Sequence, residues 1–370
     1  MTHRERLLAV YHNQPVDRVP DWEFGLWQQT YDRWRTEGLP ETKEEDRVWG
    51  AIPSYFHTDD YEYVDPGFWP NAGLLPGFEY KVLEEKGDHI IAQDGDGALA
   101  EMIRPELGAS IPHYLRYAIE TKADWEQFRD ERLNPDTAGR LPEGVDDFCR
   151  YTHTADTPTG LGAGSTYGWI RNWMGVENAS LAVAEDPEWV GEMLTHLTDL
   201  KLSVFQRLAG KCKIDSVHWW EDICFNKGPL ISPRFFEKYM VPQYRRVTDF
   251  LRRECGCDTN VLDCDGNIHA LVPGWLDCGI NVMFPVEAAH TDGYKIKEEF
   301  GDRVAMRGYV DKRALISGKE AIDAELARLK PLLERGGFVP HTDHLVPPDV
   351  SWENYCYYRQ QKCRLIGKEP

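Results

Sequence analysis

No apolar run in this chain is long enough to cross a bilayer, and no basic surplus is present to neutralise phosphates. Its 62 Asp and Glu outnumber 42 Lys and Arg, leaving a formal net charge of −20. Nucleic-acid binding draws on counterions displaced by cationic side chains, so this balance argues against that class of partner. A membrane span needs about 20 apolar residues, and Met1-Thr2-His3-Arg4-Glu5-Arg6 lacks a signal-peptide core. Cysteine is present but unpatterned. The nine residues are odd in number and scattered, with Cys255-Gly256-Cys257 as the closest pair and no Cys-x-x-Cys. They read as reduced thiols of a cytoplasmic protein. No strand-like run leads into Gly-x-Gly-x-x-Gly. Gly160-Leu161-Gly162-Ala163-Gly164 comes nearest, but without an apolar helix start or an acidic partner it argues against a dinucleotide site. These absences leave a cytoplasmic protein directed at a small molecule, with no nucleic acid or membrane as partner and a homodimer as one open assembly.

The chain does carry a clear rhythm. Residues 4–12 have helical periodicity, and 18–22 read as a first short strand. Residues 80–84 and 89–93 flank a turn as a β-hairpin, followed by the loop 94–97. Residues 31–70 are polar, aromatic and irregular, so 31–120 is expected to be a lobe inserted over one end of the main domain. From about residue 145, strand candidates at 151–155, 215–219, 261–262, 282–284, 304–306 and 338–339 alternate with helices. Those helices are expected at 187–209, 233–253, 268–277, 294–300 and 319–335. Such alternation implies βα units, right-handed crossovers and a parallel sheet. A chain of 370 residues accommodates an α/β barrel of about 250 residues with extensions. The expected fold is one (β/α)8 TIM-type barrel over 1–370, in preference to a doubly wound sheet.

In such a barrel the C-terminal strand ends carry the chemistry, because the scaffold fixes them while the following loops vary. Two ends are rich in ligand-type side chains: Leu262-Asp263-Cys264-Asp265-Gly266-Asn267 and Pro340-His341-Thr342-Asp343-His344. Turn and capping chemistry accounts for part of the first, through Asp265-Gly266-Asn267. It accounts for less of the second. A third acidic end reads Trp219-Trp220-Glu221-Asp222, and two more bring Glu287 and Asp311. Acids converging on one mouth cannot all stay ionised without cations, so either a metal neutralises them or some have raised pKa values. Arg171, Lys227 and Arg307 are the basic candidates on that rim. Of the 13 Trp, Trp22, Trp27, Trp169, Trp173, Trp219 and Trp220 fall where the pocket should lie. Neighbours on a strand face opposite sides, so one of Trp219 and Trp220 should face the interior while the other packs under helices. Aromatic walls, with Tyr309 added, suit a flat apolar substrate. Core filling is the alternative for each ring taken alone. Cys264 should point away from the acids beside it, and no cysteine has the His partner of a nucleophile.

Arg4-Glu5-Arg6-Leu7-Leu8, Asp17-Arg18-Val19-Pro20, Gly228-Pro229-Leu230-Ile231-Ser232-Pro233, Asp265-Gly266-Asn267, Gly336-Gly337-Phe338 and Pro347-Pro348-Asp349-Val350 with Glu353-Asn354 fall in a recognisable order. Together they resemble the uroporphyrinogen decarboxylase superfamily over essentially the whole chain. The resemblance implies a distorted (β/α)8 barrel with an N-terminal extension and a cleft at the C-terminal strand ends. True decarboxylases carry an Arg-rich segment after the opening strand. The matching stretch here, Asp21-Trp22-Glu23-Phe24-Gly25-Leu26-Trp27-Gln28-Gln29, has no cation. Asp21 and Glu23 in a pocket would repel an octacarboxylate. The chain therefore resembles more closely the corrinoid-dependent methyltransferase branch. The zinc-thiol members of that branch ligate metal through His, Cys and Cys at the positions of Asp263, Asp265 and His344. The replacement makes a harder site, suited to Zn with an open position or to Mn or Fe.

The resemblance implies a methyltransferase component moving a methyl group from a small methylated molecule, such as an aromatic methyl ether, to a corrinoid protein. Asp222, Glu221, Glu287, His341 and Asp343 are the catalytic candidates. Trp22, Trp27, Trp169, Trp219, Trp220 and Tyr309 are expected against the substrate. Asp263, Asp265 and His344 are the metal candidates, with zinc first. Two alternatives stay open: a decarboxylase or lyase of a small aromatic or pyrrolic acid using Asp222 as proton donor, and a ligand-binding barrel without catalysis.

Overall fold

The computed structural model describes residues 1–42, 51–59, 70–104 and 112–369. An antiparallel sheet comes first in sequence, with strands β1 (Lys81–Lys86), β2 (His89–Gln93), β3 (Leu99–Ile103) and β4 (His113–Arg116) in that spatial order. Six parallel strands follow: β5 (Gly160–Gly164), β6 (Ser216–Trp220), β9 (Asn260–Asp263), β10 (Val282–Val286), β11 (Ala305–Val310) and β12 (Phe338–Thr342). Between β6 and β9 a small antiparallel pair, β7 (Cys224–Phe225) and β8 (Gly228–Pro229), makes a hairpin. The parallel strands lie in the order β12-β11-β10-β9-β6-β5, each new strand joining the sheet beside its predecessor. Helical crossovers such as Pro187–Gln206 and Lys319–Arg335 connect them, the arrangement that right-handed βα units generate.

Side-chain alternation separates an inner from an outer face. Val261, Val282, Phe284, Ala305 and Val339 share one small core with Trp22, Val10 and Tyr11, whereas Leu262, Met283, Met306 and Phe338 belong to the larger core under the helices. Val10 and Tyr11 come from the N-terminal helix His3–Tyr11, which therefore plugs the N-terminal end of the barrel. That helix starts at Thr2 in a capping box with Glu5, satisfying amide donors that the first turn leaves open. The expected first strand at 18–22 does not form: residues 19–24 have no regular secondary structure, and only an isolated bridge follows them. Leu26 bridges Val346 in parallel, and on the other side Asp59 N donates to Asp21 O at 2.8 Å. The architecture is a (β/α)8 TIM-type barrel, as the alternating rhythm predicts.

Three further expectations need correction. Residues 151–155 are no strand: Val145–Thr152 is a helix, and the glycine-rich Gly160–Gly164 forms β5 instead. Its small residues are required by packing, since a Cβ on Gly164 would sit 2.2 Å from Trp169 Cζ2. Asp21 and Glu23 do not face the barrel interior. Alternation puts Trp22 inside and turns both acids, fully buried, onto the C-terminal helix Trp352–Ile366. There Arg359 reaches Asp21 at 2.7 Å and Glu23 at 2.8 Å, and Lys362 reaches Glu23 at 2.6 Å. Finally, the cysteines are not all thiols. Cys149 and Cys212, 63 residues apart, form a disulfide, because packing of the Val145–Thr152 helix beside the segment after Gln206 brings them together.

The lobe is built on the β1–β4 sheet and the segment before it. Arg140 is buried there and donates to the carbonyls of Asn71, Gly73, Arg132 and Asn134. Gly73 lies against Trp169, which a Cβ would meet at 2.6 Å, so the lobe touches the barrel beside the end of β5. Parts of the expected 31–120 lobe (43–50, 60–69 and 105–111) lie outside the described residues. No helix among the described residues is long and apolar enough to cross a membrane.

Candidate active site

The inner face continues towards the C-terminal strand ends. One step beyond the apolar layer, alternation places Trp220 on β6, Asp263 on β9, Phe284 on β10, Arg307 on β11 and His341 on β12. Register supports this: Asp263 is the Cα partner of both Trp220 and Phe284. The Arg307 guanidinium lies 4.0 Å from the Trp22 ring and 4.8 Å from Phe284, and donates to Tyr11 Oη at 3.1 Å. His341 packs edge-on against Trp22 at 4.6 Å between ring centroids and lies 5.6 Å from Phe284. Phe24 bridges upward, 4.7 Å from Phe284 and 5.3 Å from His344. The result is an aromatic chamber around the Arg307 guanidinium.

Asp263 stands on β9 between Trp220 and Phe284 in the register of the sheet. Burial pushes its carboxyl well above the ordinary carboxylate range, the nearby charges of Asp265 and Asp222 push the same way, and Arg307 opposes them. Like charges in a poorly solvated site disfavour a second and third ionisation, so Asp263 holds its proton more tightly than an ordinary carboxyl. Asp222 has φ 47°, an uncommon conformation for a non-glycine residue that turns its side chain onto Arg171, 2.8 Å away. Arg171 also donates to the Asp222 carbonyl and lies 5.4 Å from the Trp220 ring. His344 Nε2 stands 3.5 Å from Asp265, whose other oxygen is buried and unbonded.

His341 is fully buried, and its Nδ1 lies 2.7 Å from Thr342 O. Burial, then the charges of Arg307 and Lys362, drive its pKa well below the usual range. The ring is therefore neutral, donates from Nδ1, and leaves Nε2 as an unpartnered acceptor.

The other sequence candidates have different surroundings. Glu221 is fully buried and accepts from Ser165 Oγ, from Thr166 N and Oγ1, and from Gly168 N. It holds the turn after β5, helped by Lys201, which donates to the carbonyls of Ala163 and Ser165. Burial lowers the Lys201 pKa to about 7, against the pull of Glu221. Glu287 accepts from Gly266 N at 2.7 Å. Asp343 accepts from the amides of Ala288 and Lys312, with Lys312 Nζ at 3.4 Å. These carboxylates tie neighbouring loops together. Asp311 caps its own helix and pairs with Arg313.

Among the aromatics, Trp22, Trp169 and Trp220 border the mouth. Trp219 is buried on the outer face, donating to Asn260 Oδ1 at 3.1 Å and packing on Tyr244, so the Trp pair divides as alternation predicts. Trp27 is exposed beside the mouth-forming segment, at the start of the Gln28–Glu37 helix. Tyr309 corrects the sequence reading. Positive φ at Gly308 and Tyr309 breaks alternation at the end of β11, and the ring swings onto Gly293 and Arg328, 4.4 Å away, instead of into the chamber. Cys264 is buried away from the acids, beside Cys224. Phe24 and Phe284 went unnoticed in the sequence, although Trp22-x-Phe24 has the spacing of a strand face.

Of the metal candidates, Asp263 and Asp265 stand at the end of β9 and His344 follows β12, with β10 and β11 between the two strands. Among the described residues no group of three or more His, Cys, Asp or Glu is arranged to hold an ion. Asp265 Oδ1 has no hydrogen-bond partner among the described residues, and His344 approaches the other oxygen.

Among solved structures, a methyltransferase from Methanosarcina mazei superposes with a TM-score of 0.61 at 15% identity, covering 98% of this chain and 99% of that one. At that identity the likeness establishes the fold. A search of curated proteins finds no matching sequence. The family model for uroporphyrinogen decarboxylase matches residues 103–358, more than half of the chain and the whole described parallel sheet. The chain belongs to the uroporphyrinogen decarboxylase family.

Proposed function

We propose that the protein is a methyltransferase component that takes a methyl group from a small methylated molecule, an aromatic methyl ether in the first instance, and passes it to a corrinoid protein docked over the barrel mouth. The observation that carries this reading is the Asp263 carboxyl in register with Trp220 and Phe284, its pKa raised by burial and by the charges of Asp265 and Asp222. Cleaving a methyl–oxygen bond leaves its electron pair on the oxygen, and expulsion of a bare alkoxide is costly in an apolar chamber. Asp263 donates its proton to that oxygen as the bond breaks, so an alcohol or phenol leaves and Asp263 becomes a carboxylate. Arg307 then lies close enough to stabilise the new charge, and solvent at the partly accessible Asp263 restores the proton. The aromatic walls hold the ring of the donor, and Arg171 fixes Asp222 at the rim. When bound, the corrinoid supplies the two-electron nucleophile that accepts the methyl group. The likeness in fold to a methyltransferase supports the same reading.

A panel of methoxyarenes and methylamines, assayed under reducing conditions with a reduced corrinoid acceptor, tests the proposal. Turnover that falls about 10²–10⁴-fold in Asp263→Asn is expected for the loss of a general acid. Absence of turnover with every donor sinks it. Arg307 favours one second reading, decarboxylation of a small aromatic or pyrrolic acid whose carboxylate pairs with that guanidinium. It requires carbon dioxide release without any corrinoid.

A further inference from the structure

A second pocket opens outside the acidic mouth, behind the turn that carries Asp265. Its cavity of about 370 Å³ is lined by Lys227 and Gly228 from the β7–β8 hairpin, Asn267 and His269 after β9, and His290 and Lys295 after β10. This size falls at the small end of ligand sites, about 300–1,000 Å³. The lining has no Phe, Tyr or Trp, and cationic or ionisable nitrogen dominates it, although the chain carries a net charge of −20.

The charges there are unevenly balanced. The Lys227 and His290 side chains have no hydrogen-bond or ion-pair partner among the described residues. Lys295 stands 3.7 Å from Glu299, and His269 shares that same carboxylate at 3.0 Å. Asp292 also borders the cavity, but its Oδ1 accepts from the amides of Tyr294 and Lys295 in capping the Gly293–Phe300 helix. One shared Glu and one capping Asp thus face two lysines and two histidines converging from three loops.

We propose that this pocket binds a small multivalent oxyanion, a phosphate or carboxylate group on a compact polar molecule. Lys227 and Lys295 supply the charge, and His290 and the Asn267 amide supply directed donors. The site is coupled by contact to the mouth. Asn267 N donates to Phe225 O at 2.9 Å, and Thr291 Oγ1 donates to Gly266 O at 2.7 Å. A Cβ on Gly266 would meet the Phe225 backbone at 2.7 Å, so the Asp265–Asn267 turn is clamped between the two loops that wall the cavity. An anion held there therefore bears on the position of Asp265. The proposal is independent of the methyl-transfer reading.

The test is isothermal titration of the full chain with inorganic phosphate and, separately, with succinate, each at constant ionic strength set by chloride. Saturable binding of at least one anion is expected, weakened at least tenfold in Lys227→Ala/Lys295→Ala and unchanged in Lys86→Ala, a surface lysine of the lobe. Phosphate binding alone identifies a phosphorylated ligand; succinate binding identifies a carboxylate. No saturable heat with either anion, or equal affinity in the double variant, overturns the proposal. Thermal melting of the double variant at the parent temperature shows that any loss of binding is local.

Discussion

Asp265 and His344 meet at 3.5 Å although the strands that precede them, β9 and β12, are separated in the sheet by β10 and β11. Only curvature of the sheet lets the loops at their ends close across the mouth. The contact is electrostatic when His344 is protonated. Among the described residues no third donor is arranged beside these two, and the pair spans the loops after β9 and β12.

From this follows the outcome of metal removal. If the protein transfers methyl groups as proposed, dialysis against a strong chelator should leave that rate unchanged, and added zinc should not raise it. Elemental analysis checks the same point. A stoichiometric ion that disappears in Asp265→Asn and His344→Ala, together with activity that follows the ion, would show that the loops rearrange into a metal centre.

Asp263 gives a pH dependence whose sign is fixed by the raised pKa. A carboxyl that holds its proton longer in the folded state contributes stability fully present below its unfolded pKa, near 3.8, and lost as pH rises through the folded value. Asp263→Asn cannot ionise. Its stability relative to the parent should therefore rise with pH above that point, by up to about 1.4 kcal/mol per pH unit until Asp263 ionises. Urea midpoints at several pH values between 4 and about 9 read this directly. Parallel curves for the two proteins would show that Asp263 has an ordinary pKa.

The cations under Asp21 and Glu23 set the cost of a core substitution. Burial alone would raise the Asp21 carboxyl, but Lys362 and Arg359 hold it well below the usual range. Replacing Lys362 by Met leaves buried carboxylate charge short of a partner, which costs about 3–5 kcal/mol. Equilibrium denaturation of Lys362→Met should show that loss, and a change under 1 kcal/mol would mean the network is solvated.

Trp169 is wedged between Gly164 on β5 and Gly73 of the lobe segment. Gly164→Ala places a methyl group 2.2 Å from the indole at a residue with φ of +60°. The expected result is a stability loss of about 1–3 kcal/mol, with a raised KM because the displaced ring borders the mouth. An unchanged urea midpoint and KM would show that Trp169 does not rest there.

Much of this protein was legible before its structure. The strands β6, β9, β10, β11 and β12 each appear as short apolar runs, because strands buried on both faces must be apolar on both. Their acidic ends mark the mouth, since residues such as Asp222 and Asp263 stand where apolar character stops. β5 was hidden for a packing reason: its glycines make room for Trp169, so it lacks the branched residues that announce a strand. The sequence likewise shows how many carboxylates approach the mouth, but not which are neutralised and by what.

Those assignments depend on neighbours far away in the chain. Asp21 and Glu23 read as pocket acids until Arg359 and Lys362, more than three hundred residues later, are packed onto them. Glu221 and Asp222 are adjacent, yet one is consumed by the turn after β5 while the other meets Arg171 at the rim. The sequence by itself determined the barrel, through periodicity that local backbone geometry converts into strands and helices. The tertiary structure alone decided which acids stay charged, because a carboxylate's environment is set by burial and by the charges that folding brings within a few ångströms.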